Sequence, residues 1–124
     1  MTDFILCVRN EEEGKFGIEH GSASYLKVPD SEQLPLPEHK ESNVQAWFNA
    51  VLTKATGNRN KIADVVFFVH GYNTDSVEAL KRQRLVETEL NKRGYNCIVV
   101  GFDWPTAGTP TAYLYDREIG RAHV

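Results

Sequence analysis

The chain lacks the features that mark a protein for nucleic acid or for a membrane. Its 14 Lys and Arg stand against 17 Asp and Glu over 124 residues, a net charge of −3. Without a basic patch nothing displaces counterions from a phosphate backbone, so no nucleic-acid partner and no membrane partner is expected. The apolar run Phe4 to Val8 is too short for a bilayer span or a signal peptide, and Met1-Thr2-Asp3 before it carries no basic side chain. Cysteine is nearly absent. Cys7 and Cys97 lie far apart, each within an apolar run, which reads as two buried free thiols in a reducing compartment, and a cytoplasmic setting is expected. Two distant cysteines and four scattered histidines give no zinc spacing. Gly71-Tyr72-Asn73-Thr74 lacks the second Gly and the Lys of a P-loop, and no Gly-x-Gly-x-x-Gly follows the first strand. No metal and no cofactor is therefore expected.

What is present suits one compact domain over residues 1–124, or part of one. The chain is 41% hydrophobic and 25% charged, enough to bury roughly 65–70% of the surface its unfolded form exposes. Residues 1–30 read as antiparallel strands. Phe4 to Val8 forms the first, Glu11-Glu12-Glu13-Gly14 a solvated turn, and Phe16 and Ile18 alternate with polar neighbours as a second. Gly21 to Ser24 then bends the chain toward a third strand at Tyr25 to Val28, making a meander. Three prolines between Pro29 and Pro37 impose an extended loop. A helix over 42–56 follows, capped by Ser42 with Gln45 and stopped by Gly57. Its apolar stripe is Val44, Trp47, Phe48, Val51 and Ala55.

Residues 64–124 read as a βαβ unit and the start of a next helix. Val65 to Val69 is an apolar, central strand. A helix capped by Thr74 or Asp75 runs to about Arg93 before Gly94, with Ala79, Val86 and Leu90 inward, Leu80 marginal and Gln83 interrupting the stripe. Cys97 to Phe102 is a second buried strand, parallel to the first. Asp103-Trp104-Pro105 closes it, and Thr111 to His123 continues as a helix. The fold class is α/β: an antiparallel N-terminal meander joined to a parallel βαβ unit in one sheet.

His70-Gly71-Tyr72-Asn73 is the candidate functional loop. It follows the carboxyl end of a parallel strand, where open α/β sheets place their ligands. Gly71 permits a positive φ, and the following amides then face a shared cavity suited to a developing oxyanion. His70 reads as a structural hydrogen bonder rather than a general base, and His20, His39 and His123 as surface residues.

Phe67 to Thr74, Asp103 to Gly108 and Tyr113 to Glu118 together resemble a bacterial α/β-hydrolase family of unknown substrate. Arg9-Asn10, Phe16-Gly17 and Tyr25 to Pro29 are similar to its N-terminal strands. The resemblance implies an α/β-hydrolase fold in which the Tyr72 amide serves the oxyanion hole and Trp104 and Pro105 lie near the site. It implies a serine hydrolase of esterase or lipase type acting on a small-molecule ester-type substrate. Yet Ser22, Ser24, Ser31, Ser42 and Ser76 all lack the Gly-x-Ser-x-Gly turn that exposes a nucleophile. The chain is expected to be the N-terminal half of such an enzyme, with nucleophile, acid and His beyond Val124, and to be inactive alone. The alternative is a binding or interaction module that keeps the scaffold without the chemistry. With no neighbouring strand for 65–69, self-association through that edge, or a swap of the segment from Thr106 onward, is expected.

Overall fold

The computed structural model describes residues 2–57 and 63–105. They form a mixed sheet of four strands carrying one helix on each face. The strands are β1 (Thr2–Glu12), β2 (Lys15–Pro29), β3 (Asp64–Val69) and β4 (Cys97–Asp103), and the helices are α1 (Val44–Thr56) and α2 (Ser76–Lys92). Their order is β2-β1-β4-β3, with β1 antiparallel to β2 and parallel to β4, and β3 parallel to β4. The fold class is therefore an α/β sheet in which an antiparallel pair joins a parallel βαβ unit.

The antiparallel part is a long hairpin of two strands. Its turn is Glu13-Gly14, both at positive φ (52° and 77°), the geometry that matches the twist of paired strands. The bend expected at Gly21 to Ser24 does not form, because those residues lie inside β2. The irregularity appears instead as two register shifts opposite Cys7 to Glu11. Gly21 fits there because a Cβ would stand 2.6 Å from Asn10 Cα, so the backbones approach as only glycine allows.

Alternation along the strands sorts the core into two clusters. On one face Phe4, Ile98 and Val100 pack with Trp47, Val51 and Ala55 of α1. On the other, Ile5, Cys7, Leu26 and Val28 pack with Leu80 of α2. The cap of α1 is Asn43 rather than Ser42: its side chain accepts from the Ala46 amide at 3.1 Å, and Gly57 ends the helix at φ 43°. Trp47, Val51 and Ala55 are buried as the stripe predicts, but Val44 and Phe48 remain exposed. Asp75 caps α2 by accepting from Glu78 N–H at 2.8 Å.

Two sequence readings need correction. Val65 to Val69 is not central: among the described residues β3 is an edge, β1 and β4 hold the centre, and Val65, Phe67 and Val69 are exposed. An apolar run looks buried whichever face it presents, so its place in the sheet does not show in its composition. The inward side of α2 is Ala79, Leu80 and Gln83, while Val86 and Leu90 are half-buried.

Gln83 is a polar bolt through this face. Its Nε2 donates to Phe4 O at 3.0 Å and Val99 O at 3.1 Å, tying α2 to both central strands. Gly101 makes room for it, since a Cβ there would lie 2.1 Å from Gln83 Oε1. Gly101→Ala forces the amide off its partners and is expected to cost about 1–3 kcal/mol as an overpacked core site. Urea denaturation checks this. A Gln83→Ala background should remove much of the penalty, because the clash is with that side chain.

Candidate functional site

Both parallel strands deliver their carboxyl ends to one place, and the polar residues there share the α2 face. Cys7 pairs with Asp103 in register, and Val69 with Phe102. Arg9 therefore lies one step past Cys7 in the inward row of β1, and His70 one step past β3.

Asp103 is the hub. Its Oδ1 accepts from Arg9 Nε at 2.8 Å and lies 3.1 Å from His70 Nε2, while Oδ2 accepts from Ser76 Oγ at 2.7 Å. Arg9, His70 and Asp103 are all buried. Burial pushes the Asp103 pKa up, but the hydrogen bonds from His70 and Ser76 and the charge of Arg9 outweigh it and hold the carboxyl below its ordinary range. Arg9 Nη2 continues to Thr74 O at 2.9 Å and Trp104 O at 3.1 Å. One guanidinium thus fastens the loops after β3 and after β4. Among the described residues, no buried side-chain polar atom of this kind is left without a partner.

His70 is used up by the scaffold. Its side chain is 0% exposed. Nδ1 lies 2.8 Å from Gly71 O, which only accepts, so Nδ1 carries a proton. Nε2 stands between the Asp103 carboxylate and the Trp104 amide, the latter at 3.2 Å, donating to the first or accepting from the second. The Trp104 ring stacks on the imidazole with centroids 5.5 Å apart and planes at 8°, and its Nε1 donates to His70 O at 3.0 Å. His70 and Trp104 are brought together, and Pro105 is buried beside them. Gly71 is exposed, with nothing within 4 Å of where a Cβ would stand. The positive φ expected at Gly71 occurs at Asn73 instead (59°), a residue type that tolerates it. Tyr72 is half-buried and Asn73 exposed.

Ser76, His70 and Asp103 look like a catalytic triad by composition but not by arrangement. A triad needs His between Ser and Asp, so that the imidazole takes the hydroxyl proton. Here the carboxylate lies between the other two and accepts the Ser76 hydroxyl's hydrogen bond itself. Cys7, 3.9 Å from Asp103 Oδ2, has its thiol pushed up to about 12, chiefly by burial, and is not a nucleophile. Neither cysteine is in a disulfide, and both are buried. Arg9, Asp103 and Ser76 escape a reading for site residues, although a charged residue on the inward row of an apolar strand marks the first two.

Other features carry no site. His39 is not a surface residue: its side chain is tucked away, its Nδ1 accepts from Leu36 N–H at 2.9 Å and its Nε2 contacts Glu32. Glu32, Glu38 and His39 come close enough together for a metal. An ion on Nε2 would require the proton on Nδ1, which the Leu36 amide opposes. His20 is exposed, and His123, Tyr113 to Glu118 and the helix from Thr111 lie outside the described residues. A cleft of about 630 Å³ opens at the other end of the sheet. Four of its charged side chains pair with one another, Lys54 with Glu87 and Arg84 with Asp3. No helix among the described residues is long and apolar enough to cross a membrane.

A family model described as an alpha/beta hydrolase of unknown function (DUF900) matches residues 40–123. The chain belongs to this family. No curated protein and no solved structure gives a match. The α/β-hydrolase match spans α1, β3, α2 and β4 and includes the whole His70 loop; of the buried hub it takes in all but Arg9 and Cys7.

Proposed function

We propose that this α/β-hydrolase chain supplies the oxyanion-hole loop of a serine hydrolase of esterase or lipase type, acting on a small-molecule ester-type substrate. The carrying observation is the His70-Gly71 corner at the carboxyl end of β3. It is clamped from below by Asp103, Arg9 and Trp104 and open above Gly71. A donor for a developing oxyanion must be preorganised, and one such donor is worth about 3–4 kcal/mol of transition-state stabilisation. In this reading the Tyr72 main-chain amide is that donor, Asn73 completes the loop, and Trp104 with Pro105 forms the wall beneath it.

The nucleophile comes from residues other than these 124, and the chain alone is inactive. Ser76 is bound to Asp103, Ser24 is buried in β2, and Ser22, Ser31 and Ser42 are exposed, none of them in a Gly-x-Ser-x-Gly turn. The unbridged thiols Cys7 and Cys97 suit a reducing, cytoplasmic setting. A fluorophosphonate probe tests the assignment. The 124-residue chain should take no label, and a longer polypeptide containing it should be labelled at a serine outside the chain. Label on Ser76 would overturn the reading. A longer polypeptide that folds yet resists the probe would mark a binding module on the same scaffold.

A further inference from the structure

A trans peptide is a rigid plane whose C=O and N–H point in opposite directions. Whatever grips the carbonyl of Gly71 therefore also aims the N–H of Tyr72. Among the described residues no peptide is cis, and the Gly71 carbonyl is gripped, 2.8 Å from His70 Nδ1. The hold is needed at this position. Glycine restricts its own φ and ψ least of all residues. Nothing lies within 4 Å of where a Cβ of Gly71 would stand, so packing around that carbon does not stop the plane from turning. The imidazole can hold the plane because it is itself fixed. It is fully buried and stacks on the Trp104 ring at 8°. Its Nε2 is held between the Asp103 carboxylate at 3.1 Å and the Trp104 amide at 3.2 Å.

We propose that His70 is the positioning residue of the oxyanion donor. By drawing the Gly71 carbonyl onto its Nδ1–H, it turns the Tyr72 N–H away from the buried cluster and toward the substrate side of the loop. This inference rests on the role proposed above for the Tyr72 amide. The path to that amide is short and continuous. Arg9 and Ser76 fix Asp103, and Asp103 with the Trp104 amide fixes Nε2. The rigid ring carries that orientation to Nδ1 and so to the plane joining Gly71 and Tyr72. Gly71 O only accepts, so Nδ1 donates to it whichever partner Nε2 takes. A reversed plane would set the Tyr72 N–H against Nδ1–H, donor against donor. His70 thus acts on the reaction through a main-chain plane, without touching substrate.

Two substitutions separate the nitrogens. Asparagine carries its N–H₂ on Cγ, where histidine carries Nδ1, and glutamine carries its own near the place of Nε2. His70→Asn therefore keeps a donor for Gly71 O, and His70→Gln loses it. Heteronuclear NMR of the 124-residue chain should show a protonated Nδ1 on His70, with a scalar coupling across the hydrogen bond to the Gly71 carbonyl carbon. The residual dipolar coupling of the Tyr72 N–H, which reports the orientation of the plane, should change in His70→Gln and persist in His70→Asn. In a longer polypeptide that carries the nucleophile, His70→Gln should slow fluorophosphonate labelling by about 10²–10³, the loss expected for one oxyanion donor, and His70→Asn should recover most of the rate. An unprotonated Nδ1 in the wild type would overturn the inference even where His70→Gln does not fold. A Tyr72 coupling indifferent to His70→Gln, or equal slowing in both variants, would overturn it too and leave the Tyr72 reading in place. A plane that turns with no change in labelling would overturn both, because the amide that His70 aims would not be the donor.

Discussion

Asp103→Asn is expected to cost about 3–5 kcal/mol of folding stability, the range for breaking one partner out of a buried ion pair. The neutral amide keeps the shape but leaves Arg9, 5% exposed, without its counter-charge. It also replaces one of the two acceptor oxygens by an N–H₂, either the one that takes Arg9 Nε or the one that takes Ser76 Oγ. The loss has a pH signature. Asp103 is depressed below 3.8 in the folded state, so its contribution is fully present above the unfolded pKa and disappears as pH falls through the folded one. The groups facing it are Arg9, His70, Ser76 and the Cys7 thiol, and Cys7 stays neutral across that range. Urea midpoints of wild type and Asp103→Asn should therefore differ by a constant amount above about pH 5 and converge below about pH 4. A gap that stays constant down to pH 2 would mean that the carboxylate charge is not what the cluster uses.

The same cluster shows where sequence reading stops. The unit β3-α2-β4 is legible because apolar runs are punctuated by groups with fixed local jobs, such as the Asp75 cap and the left-handed glycines Gly57 and Gly94. These interactions span three or four residues, so the chain writes them in one place. Asp103 and Arg9 are 94 positions apart, and Asp103 and His70 are 33 apart. Each looks like an ordinary polar residue at the end of a strand. Only strand order and register bring them to one face, and neither is a local property. The hint is parity: Arg9 continues the inward row Ile5-Cys7, and Asp103 the row Cys97-Val99-Gly101.

Gln83 and β3 mislead in opposite directions. A Gln in an inward stripe reads as a wet face, but here it is dry and bonded to two strand carbonyls. Six apolar-rich residues at 64–69 read as a buried strand, but one of their rows is exposed. In both cases the residue's own chemistry is plain and its neighbour is not. The candidate loop is the mixed case. His70-Gly71 after a parallel strand is visible as a motif, whereas the clamp beneath it, from Arg9 of β1 to the carbonyls of Thr74 and Trp104, needed the register of the sheet.

Trp47→Ala is the second large effect, expected at about 3–5 kcal/mol for truncating a buried Trp. Trp47 is 2% exposed and meets Phe4, Tyr25 and Phe48 edge-on at 5.9, 5.2 and 5.1 Å. Its indole N–H is also the hydrogen bond that seats α1 over β2. Two contributions are therefore lost together, and Trp47→Phe separates them. Phenylalanine keeps most of the apolar contact but leaves Leu26 O without its indole donor, at a cost of about 1–3 kcal/mol. Equilibrium denaturation should place Trp47→Phe well above Trp47→Ala. Equal losses would show that the hydrogen bond, not packing, holds the helix. Because α1 covers Phe4, Ile98 and Val100 on one side of β1 and β4, while Arg9 and Asp103 lie on the other, the two substitutions act on opposite faces. Their costs should add to within about 0.5 kcal/mol in the double variant. A large coupling would mean that α1 and the buried cluster communicate through the sheet, and that the loop at His70 depends on the helix as well as on Arg9.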